Sequence, residues 1–290
     1  MIIGVLTVRD SQFHPNARLM EAARERGHQV CLINPYELIP ETGIGLKLAP
    51  RPAVVLPRQG SPMGAYGFVI LRALMDLGIP LVNDLNAVAV ARHQYRTLQA
   101  LERVGLPMPR SCFLTRKDGL EAAAKTLGGW PLVMKQPSGM GGDGVVKVEN
   151  LDQAEAFMDA HPLPKQGMVI QEFLEPEGRM DLRVLVVGGR VAGAMALTPS
   201  GGDFRANVHQ SGEARALTLK PQWEAMALQA TRACGLDIAW VDMMIPQSGP
   251  PRVSEVNYSP GFRGLEGATG LDIAGEIVEF AVERARALKP

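Results

Sequence analysis

Close to its C-terminal end the chain carries Asp242 after an apolar run, Ile238 to Val241, and then Glu255 and Asn257 just before Tyr258-Ser259-Pro260-Gly261. Successive side chains of a strand point to opposite faces, so Glu255 and Asn257 share one side, and Asp242 projects from a neighbouring strand toward the same spot. Two carboxylates and a side-chain amide are hard oxygen donors. They suit Mg2+ rather than zinc, because Mg2+ takes oxygen ligands and shares its octahedron with waters and substrate phosphates. Asp242, Glu255 and Asn257 are therefore the candidate metal ligands, and the chemistry they suggest is that of a nucleoside triphosphate. Taken singly, each reads equally well as a strand cap or a polar position beside a turn, so the weight falls on a second phosphate signature upstream.

That signature is Lys135, at the end of a strand expected over 131–135, followed by Gly139, Gly141, Gly142 and Gly144 and a return strand over 145–148. Glycines at this density let backbone N–H groups approach an anion closely. Lysine, glycine loop and returning strand together describe a flap over phosphates. The pattern is not a Walker loop, which needs Gly-Lys-Ser/Thr entering a helix, and not a Rossmann turn, which also leads into a helix. A flexible surface hairpin has the same composition and remains the alternative. Further on, the run from Met168 to Pro176 offers the backbone of Glu172, Phe173 and Leu174 to an adenine edge, or is simply an interior strand ending in a turn. Asp181 and Arg183 fall on one face of the next strand. The segment 201–212, containing Arg205 and Asn207, is too polar and glycine-rich for a core element; it suits a substrate or phosphate site, with a solvated loop as the alternative.

The elements that must position these groups follow from hydrophobic periodicity. Strands over 2–8, 29–33, 53–57 and 81–83, with helices over 16–26 and 64–77 between them, predict a small parallel sheet sandwiched by helices and ending near residue 85. Ligands in such a sheet sit past the carboxyl ends of the strands, where Arg9, Asp10, Arg58 and Asn83 fall. One helix is expected over 87–104, then a stiff Pro107/Pro109 connector, a second lobe opening with a strand over 111–114 and a helix over 119–127, and a hairpin of 181–187 with 190–197 through Gly188-Gly189. Helices over 221–234 and 273–288 close the chain.

Composition excludes several classes. Lys+Arg and Asp+Glu are both 30, so the net charge is zero, which argues against a broad nucleic-acid surface. The cysteines, Cys31, Cys112 and Cys234, are odd in number and far apart, and fit reduced core thiols better than a disulfide framework or a CxxC metal site. The first residues form an apolar run too short for a signal peptide, and no run reaches membrane-spanning length, so a cytoplasmic location and no membrane partner are expected.

Taken in order, Lys135, the glycine loop, Gln171-Glu172-Phe173-Leu174, Asp181-x-Arg183, Gly202-Asp203-Phe204-Arg205-Ala206-Asn207, Asp242 and Glu255-Val256-Asn257-x-Ser259-Pro260-Gly261 resemble the ATP-grasp superfamily, and within it the RimK-type ligases. The likeness runs end to end, taking in Pro57-Arg58-x-Gly60 and Thr269-Gly270-x-Asp272-Ile273-Ala274. It implies an α/β ATP-grasp fold: an N-terminal parallel α/β domain over 1–86, a central subdomain with the glycine-rich lid over 87–167, and a C-terminal subdomain with the Mg2+ site over 168–290, the last two clasping ATP. It implies ATP with Mg2+ (or Mn2+) as cofactors, and a C–N bond-forming ligase that joins a glutamate-like amino acid to a carboxylate of a cofactor or protein tail through an acyl phosphate. Lys135, Arg205 and Asn207 would carry the catalysis. Lys135, Gly141, Gly142, Gly144, Glu172, Phe173, Leu174, Asp181, Arg205 and Asn207 would bind the nucleotide, and Asp242, Glu255 and Asn257 the metal. A homo-oligomer is compatible with the family, and no direct nucleic-acid contact is expected. The chain departs from the pattern at Arg92-His93-Gln94, where a lysine is expected in place of Gln94. Two other readings follow: an ATP-binding protein of this fold without ligase chemistry, for which Gln94 is the hint, and a ribosome-associated binding factor, which the neutral charge disfavours.

Overall fold

The computed structural model describes residues 1–58, 66–138, 144–161, 167–197 and 214–288. Of the candidate site residues, Gly141, Gly142, Arg205 and Asn207 lie outside the described residues.

The chain opens with β1 (Ile2–Leu6), α1 (His14–Glu25), β2 (Gln29–Ile33), β3 (Val54–Pro57) and α2 (Tyr66–Asp76). The strands form a three-stranded parallel sheet in the order β2-β1-β3, as the βαβ rhythm predicts. Gly4 sits where this sheet is tightest: a Cβ there would meet Ile33 Cδ1 at 2.7 Å and Val55 Cγ2 at 2.9 Å. The fourth strand expected over 81–83 is only a single bridge, Val55 to Leu81. Past it the chain leaves the sheet and carries Asn83 to the C-terminal part of the molecule.

The single helix expected over 87–104 is two, α3 (Leu85–Ala91) and α4 (Gln94–Arg103). Between them His93 is extended (φ −118°, ψ 107°), and the Gln94 N–H, freed at the new helix start, donates to Pro137 O at 2.7 Å.

The central lobe comprises β4 (Ser111–Leu114), α5 (Leu120–Leu127), β5 (Leu132–Lys135), β6 (Val145–Val148), α6 (Leu151–Ala160) and β7 (Met168–Glu172). Its strands form a four-stranded antiparallel sheet, order β4-β7-β5-β6. β7, the strand just past the boundary expected at 167/168, pairs with β4 and β5 in this sheet. Leu120, Leu132, Met134, Met158 and Ile170 form this lobe's own core beneath α5 and α6.

The rest is β8 (Met180–Val187), β9 (Arg190–Leu197), β10 (Ala214–Ala216), α7 (Pro221–Ala233), β11 (Ile238–Ile245), β12 (Arg252–Asn257), α8 (Arg263–Thr269) and α9 (Ile273–Ala287). Its five-stranded sheet has the order β10-β9-β8-β11-β12. One face, through Leu182, Val184, Val241 and Val256, packs on α7 and α4 by way of Trp223, Ala227 and Leu101. On the opposite face Leu185 and Trp240 join Ile3, Val5, Phe262 and Ile277, so the N-terminal sheet, α9 and the C-terminal sheet share one core. Burial of each such large side chain is worth about 1.5–3 kcal/mol, and this makes the first and last parts of the chain a single body. Arg18 of α1 and Arg26 at its C-cap reinforce it by pairing with Glu266, Asp272 and Glu279. Among the described residues, the three cysteines are unpaired and no helix is long and apolar enough to cross a membrane.

Candidate functional site

Along β8 and β11 the face that carries Leu185 and Trp240 turns from apolar to charged. β11 and β12 are antiparallel with Trp240 opposite Asn257 and Asp242 opposite Glu255, while β8 sets Arg183 opposite Asp242. Residues directly opposite share a face. The three expected metal ligands thus stand together, beside a guanidinium. Immediately after this pair the register shifts, Met243 pairing with Val253 and leaving Ser254 as an extra residue. Such a bulge bends its strand and re-aims the neighbouring side chains. Ser254 Oγ donates to Asp242 O at 3.1 Å, and Ser254 O accepts from Gln94 Nε2 at 2.9 Å. Gln94 thus ties the break between α3 and α4 to the strand bearing Glu255, through its side chain, and to the loop after Lys135, through its main chain.

The electrostatics of this corner are strained. Asp242 Oδ1 is buried without a hydrogen bond, its neighbour being Arg183 Nε at 3.3 Å. Burial pushes Asp242 up to about 6; Arg183 opposes that, Glu255 and Asp181 add to it, and Lys135 opposes it. Lys135 ends β5 between Val145 of β6 and Val169 of β7. It is lowered from the ordinary lysine range by burial, with Glu255 and Asp242 pulling it up and Arg179 pushing it down. The lysine of the central sheet therefore lies within the field of the acidic pair on the other sheet. An enclosed carboxylate oxygen with no hydrogen bond, a second carboxylate across the ladder and an amide on the same face fit an oxygen-seeking divalent cation. Among the described residues no group of three or more His, Cys, Asp or Glu is placed to hold a metal, so a cation held by two carboxylates and an amide would draw its other ligands from water and substrate.

The segment expected to meet adenine has its side chains held by arginines and a lysine. Glu172 accepts from the Arg110 N–H at 2.8 Å, and its carboxylate pairs with Arg252 Nη1 at 3.3 Å and Arg110 Nε at 3.4 Å. Its side chain therefore braces the central sheet against the start of β12. Leu174 O accepts from Arg179 Nη1 at 2.7 Å. Phe173 lies under Lys147, whose Nζ is 4.4 Å from the ring centroid. Asp181 grips Arg179 through both oxygens, at 2.7 and 3.0 Å. Burial raises Asp181, and Arg179 and Arg183 resist the rise. Arg179 was missed in the sequence; its signal is the alternation Arg179, Asp181, Arg183 along one strand face. Gly144 closes the glycine loop at φ +73°, and a Cβ there would press on Gln136 Cγ at 3.1 Å.

Of the groups expected past the first sheet, Asn83 is structural. Buried to 1%, it donates to Ile238 O and Tyr258 O and accepts from the Asp237 and Ile238 N–H groups, which uses its whole amide. Asp10 Oδ1 is taken by the Gln12 and Phe13 N–H groups, and Arg9 is exposed beside Phe13. Arg58 reaches from the end of β3 to Pro260 O, just past the end of β12.

Relatives place the chain. A model of the RimK-like ATP-grasp domain matches residues 91–281. A "Probable alpha-L-glutamate ligase" of Halorhodospira halophila is 38% identical over 294 residues, covering 99% of this chain and 96% of that one. Another of the same name from Shewanella loihica is 36% identical over 293 residues, 99% of this chain and 97% of its own. Among solved structures, a RimK domain ATP-grasp protein from Sphaerobacter thermophilus superposes with a TM-score of 0.76 at 24% identity, over 97% of this chain and 100% of that one. The D-alanine–D-alanine ligase of Bacillus anthracis, solved with ATP, gives 0.74 at 19% identity, over 99% of this chain and 98% of that one. The ATP-grasp ligase PsnB, solved with minimal precursor, Mg and ADP, gives 0.72 at 21% identity, over 98% of this chain and 97% of that one. From fold, register and relatives together, the chain belongs to the RimK-like ATP-grasp family, a family of ATP-dependent ligases.

Proposed function

We propose that this protein joins a glutamate-like amino acid to a substrate carboxylate, using ATP and Mg2+, by way of an acyl phosphate. The observation that carries the reading is the placement of Asp242, Glu255 and Asn257 on one sheet face within the field of half-buried Lys135 on the other sheet. A carboxylate is a poor electrophile. Its oxygen attacks the γ-phosphorus of ATP, ADP departs, and the acyl phosphate formed is attacked at carbon by the incoming amine; phosphate leaves and the amine loses a proton.

Asp242, Glu255 and Asn257 would hold Mg2+, which supplies positive charge to the phosphoryl oxygens when bound. Lys135 neutralises charge on the transferred group, its desolvated ammonium acting more strongly than it would in water. Arg183 keeps the acidic pair balanced. In this reading the backbone of Glu172, Phe173 and Leu174 meets the adenine edge, with the Glu172 carboxylate braced by Arg110 and Arg252. In this reading Gly141, Gly142 and Gly144 cover the phosphates and keep water from the acyl phosphate, while Arg205 and Asn207 meet the phosphates and the oxyanion, roles taken from the family pattern. The glutamate-like substrate rests on the names of the relatives at 36–38% identity.

The test is ADP release with Mg2+, ATP and L-glutamate across a panel of carboxylate acceptors, with mass spectrometry of each positive reaction. A product heavier by one glutamyl residue supports the reading. Protein that binds ATP yet yields no adduct with any amino acid and acceptor, protein tails included, refutes it.

A further inference from the structure

Arg58 has a guanidinium whose Nε no described residue satisfies. As a residue it is half-buried, but its Nε is enclosed and has no hydrogen-bond partner. Nη2 donates to Pro260 O, and Cζ lies 5.7 Å from the Phe262 ring centroid. Among the described residues no carboxylate pairs with it. A guanidinium brings five N–H donors and a full charge, and one carbonyl and one ring face answer neither fully. Burial lowers Arg58 to about 10. The corner is cationic and enclosed. It is also close to the reacting groups: Pro260 follows Asn257 by three residues, a span of at most about 11 Å of extended chain.

We infer that Arg58 is the anchor for a substrate carboxylate that does not itself react, holding an amino-acid-sized molecule so that its other end reaches the Asp242–Glu255–Asn257 face. This deepens the ligase reading and rests on it. Planar guanidinium and planar carboxylate match through two parallel hydrogen bonds, and the free Nε is one of the donors such a pair uses. Both ligase substrates carry carboxylates, so the non-reacting group belongs either to the amino acid or to the acceptor. A purely structural Arg58 predicts something different. The Pro260 and Phe262 contacts would then matter for folding, whereas an apolar side chain of similar length should otherwise replace an unpaired buried charge without loss.

The deciding experiment uses the full chain and its Arg58→Met and Arg58→Lys variants. Unfolding is measured without ligand, and binding by calorimetry with L-glutamate, with N-acetyl-L-glutamate as an acceptor that lacks a free amine, and with Mg–ATP. Arg58→Met should melt no lower than wild type, weaken one of the two carboxylate probes about tenfold or more, and leave Mg–ATP unchanged, with Arg58→Lys between. Loss in the glutamate arm assigns the anchor to the amino acid, and loss in the acetylated arm assigns it to the acceptor. Unchanged affinity for both probes, no binding of either by wild type, or an Arg58→Met protein that fails to fold would each overturn the inference. Failure of wild type to bind Mg–ATP would refute the ligase reading, while the carboxylate arms still decide Arg58.

Discussion

Replacing Asn83 by alanine should loosen the joint between the first sheet and the strands that carry the site. In the native protein its amide makes four hydrogen bonds, 2.7 Å to Ile238 O, 2.8 Å to Tyr258 O, and 2.7 Å from each of the Asp237 and Ile238 N–H groups. Removing the side chain strands these groups at a position that is 1% exposed. Each buried polar group left unpaired costs about 1–3 kcal/mol, and water entering the vacated space recovers part of that, so a net loss of about 4 kcal/mol is expected. For a chain of this size that is a fall of roughly 10 °C in melting temperature. Asn83→Asp keeps the acceptor but turns a carboxylate toward Ile238 O and Tyr258 O, and should melt at least as low as Asn83→Ala. Thermal unfolding followed by circular dichroism measures both. An alanine variant within about 2 °C of wild type, or an aspartate variant clearly more stable than the alanine one, would show that the clamp does not bear the joint.

Three further outcomes are expected. Glu255→Ala should abolish Mg2+-dependent ADP release while melting at or above the wild-type temperature, because it removes one of two carboxylates that repel each other in a buried corner; a folded variant with normal turnover removes the metal assignment. Gln94→Lys keeps a donor for Ser254 O and adds a positive charge near Glu255 and the phosphates, so Mg–ATP should bind several-fold tighter by calorimetry, and unchanged or weaker binding counts against the placement. Asp272 is pushed up by burial, yet the Gly275 N–H, Arg26 and Arg18 outweigh this and leave it below the usual carboxylate range. Its contribution to stability is therefore present above the unfolded pKa near 4 and lost as pH falls through the lower folded value. Urea unfolding should show Asp272→Asn less stable than wild type at pH 6, with the gap closing below about pH 4; a constant gap refutes the linkage.

How far the sequence reaches depends on the range of the interaction concerned. Alternation is local, so it placed Glu255 and Asn257 on one face and Asp181 with Arg183, and strand bounds such as 29–33, 111–114, 145–148 and 190–197 follow from apolar runs ended by turn residues. The parallel first sheet is likewise legible, since short strands alternating with helices leave few other arrangements. Where contacts are distant in sequence, local pattern is silent. The helix break at Arg92-His93 shows itself through Gln94, whose partners are Pro137 and Ser254. β7, read from the sequence as the start of the C-terminal lobe, pairs with β4 and β5 in the central sheet. The ion pairs and hydrogen bonds that Glu172, Leu174 and Asp181 make with Arg110, Arg252 and Arg179 are likewise invisible to local pattern.

By itself, then, the order of residues determined the chemistry available to this protein: hard oxygen donors on one strand face, a lysine entering a glycine loop, and alternation enough to build the sheets. Only the tertiary structure decided which of those groups keep a free valence. A side chain's partners depend on what folding brings beside it, and burial makes each unanswered charge or polar atom costly. Asn83 spends its whole amide on the joint, whereas Asp242 Oδ1 and Arg58 Nε are enclosed without a hydrogen bond, one suited to a cation and the other to an anion.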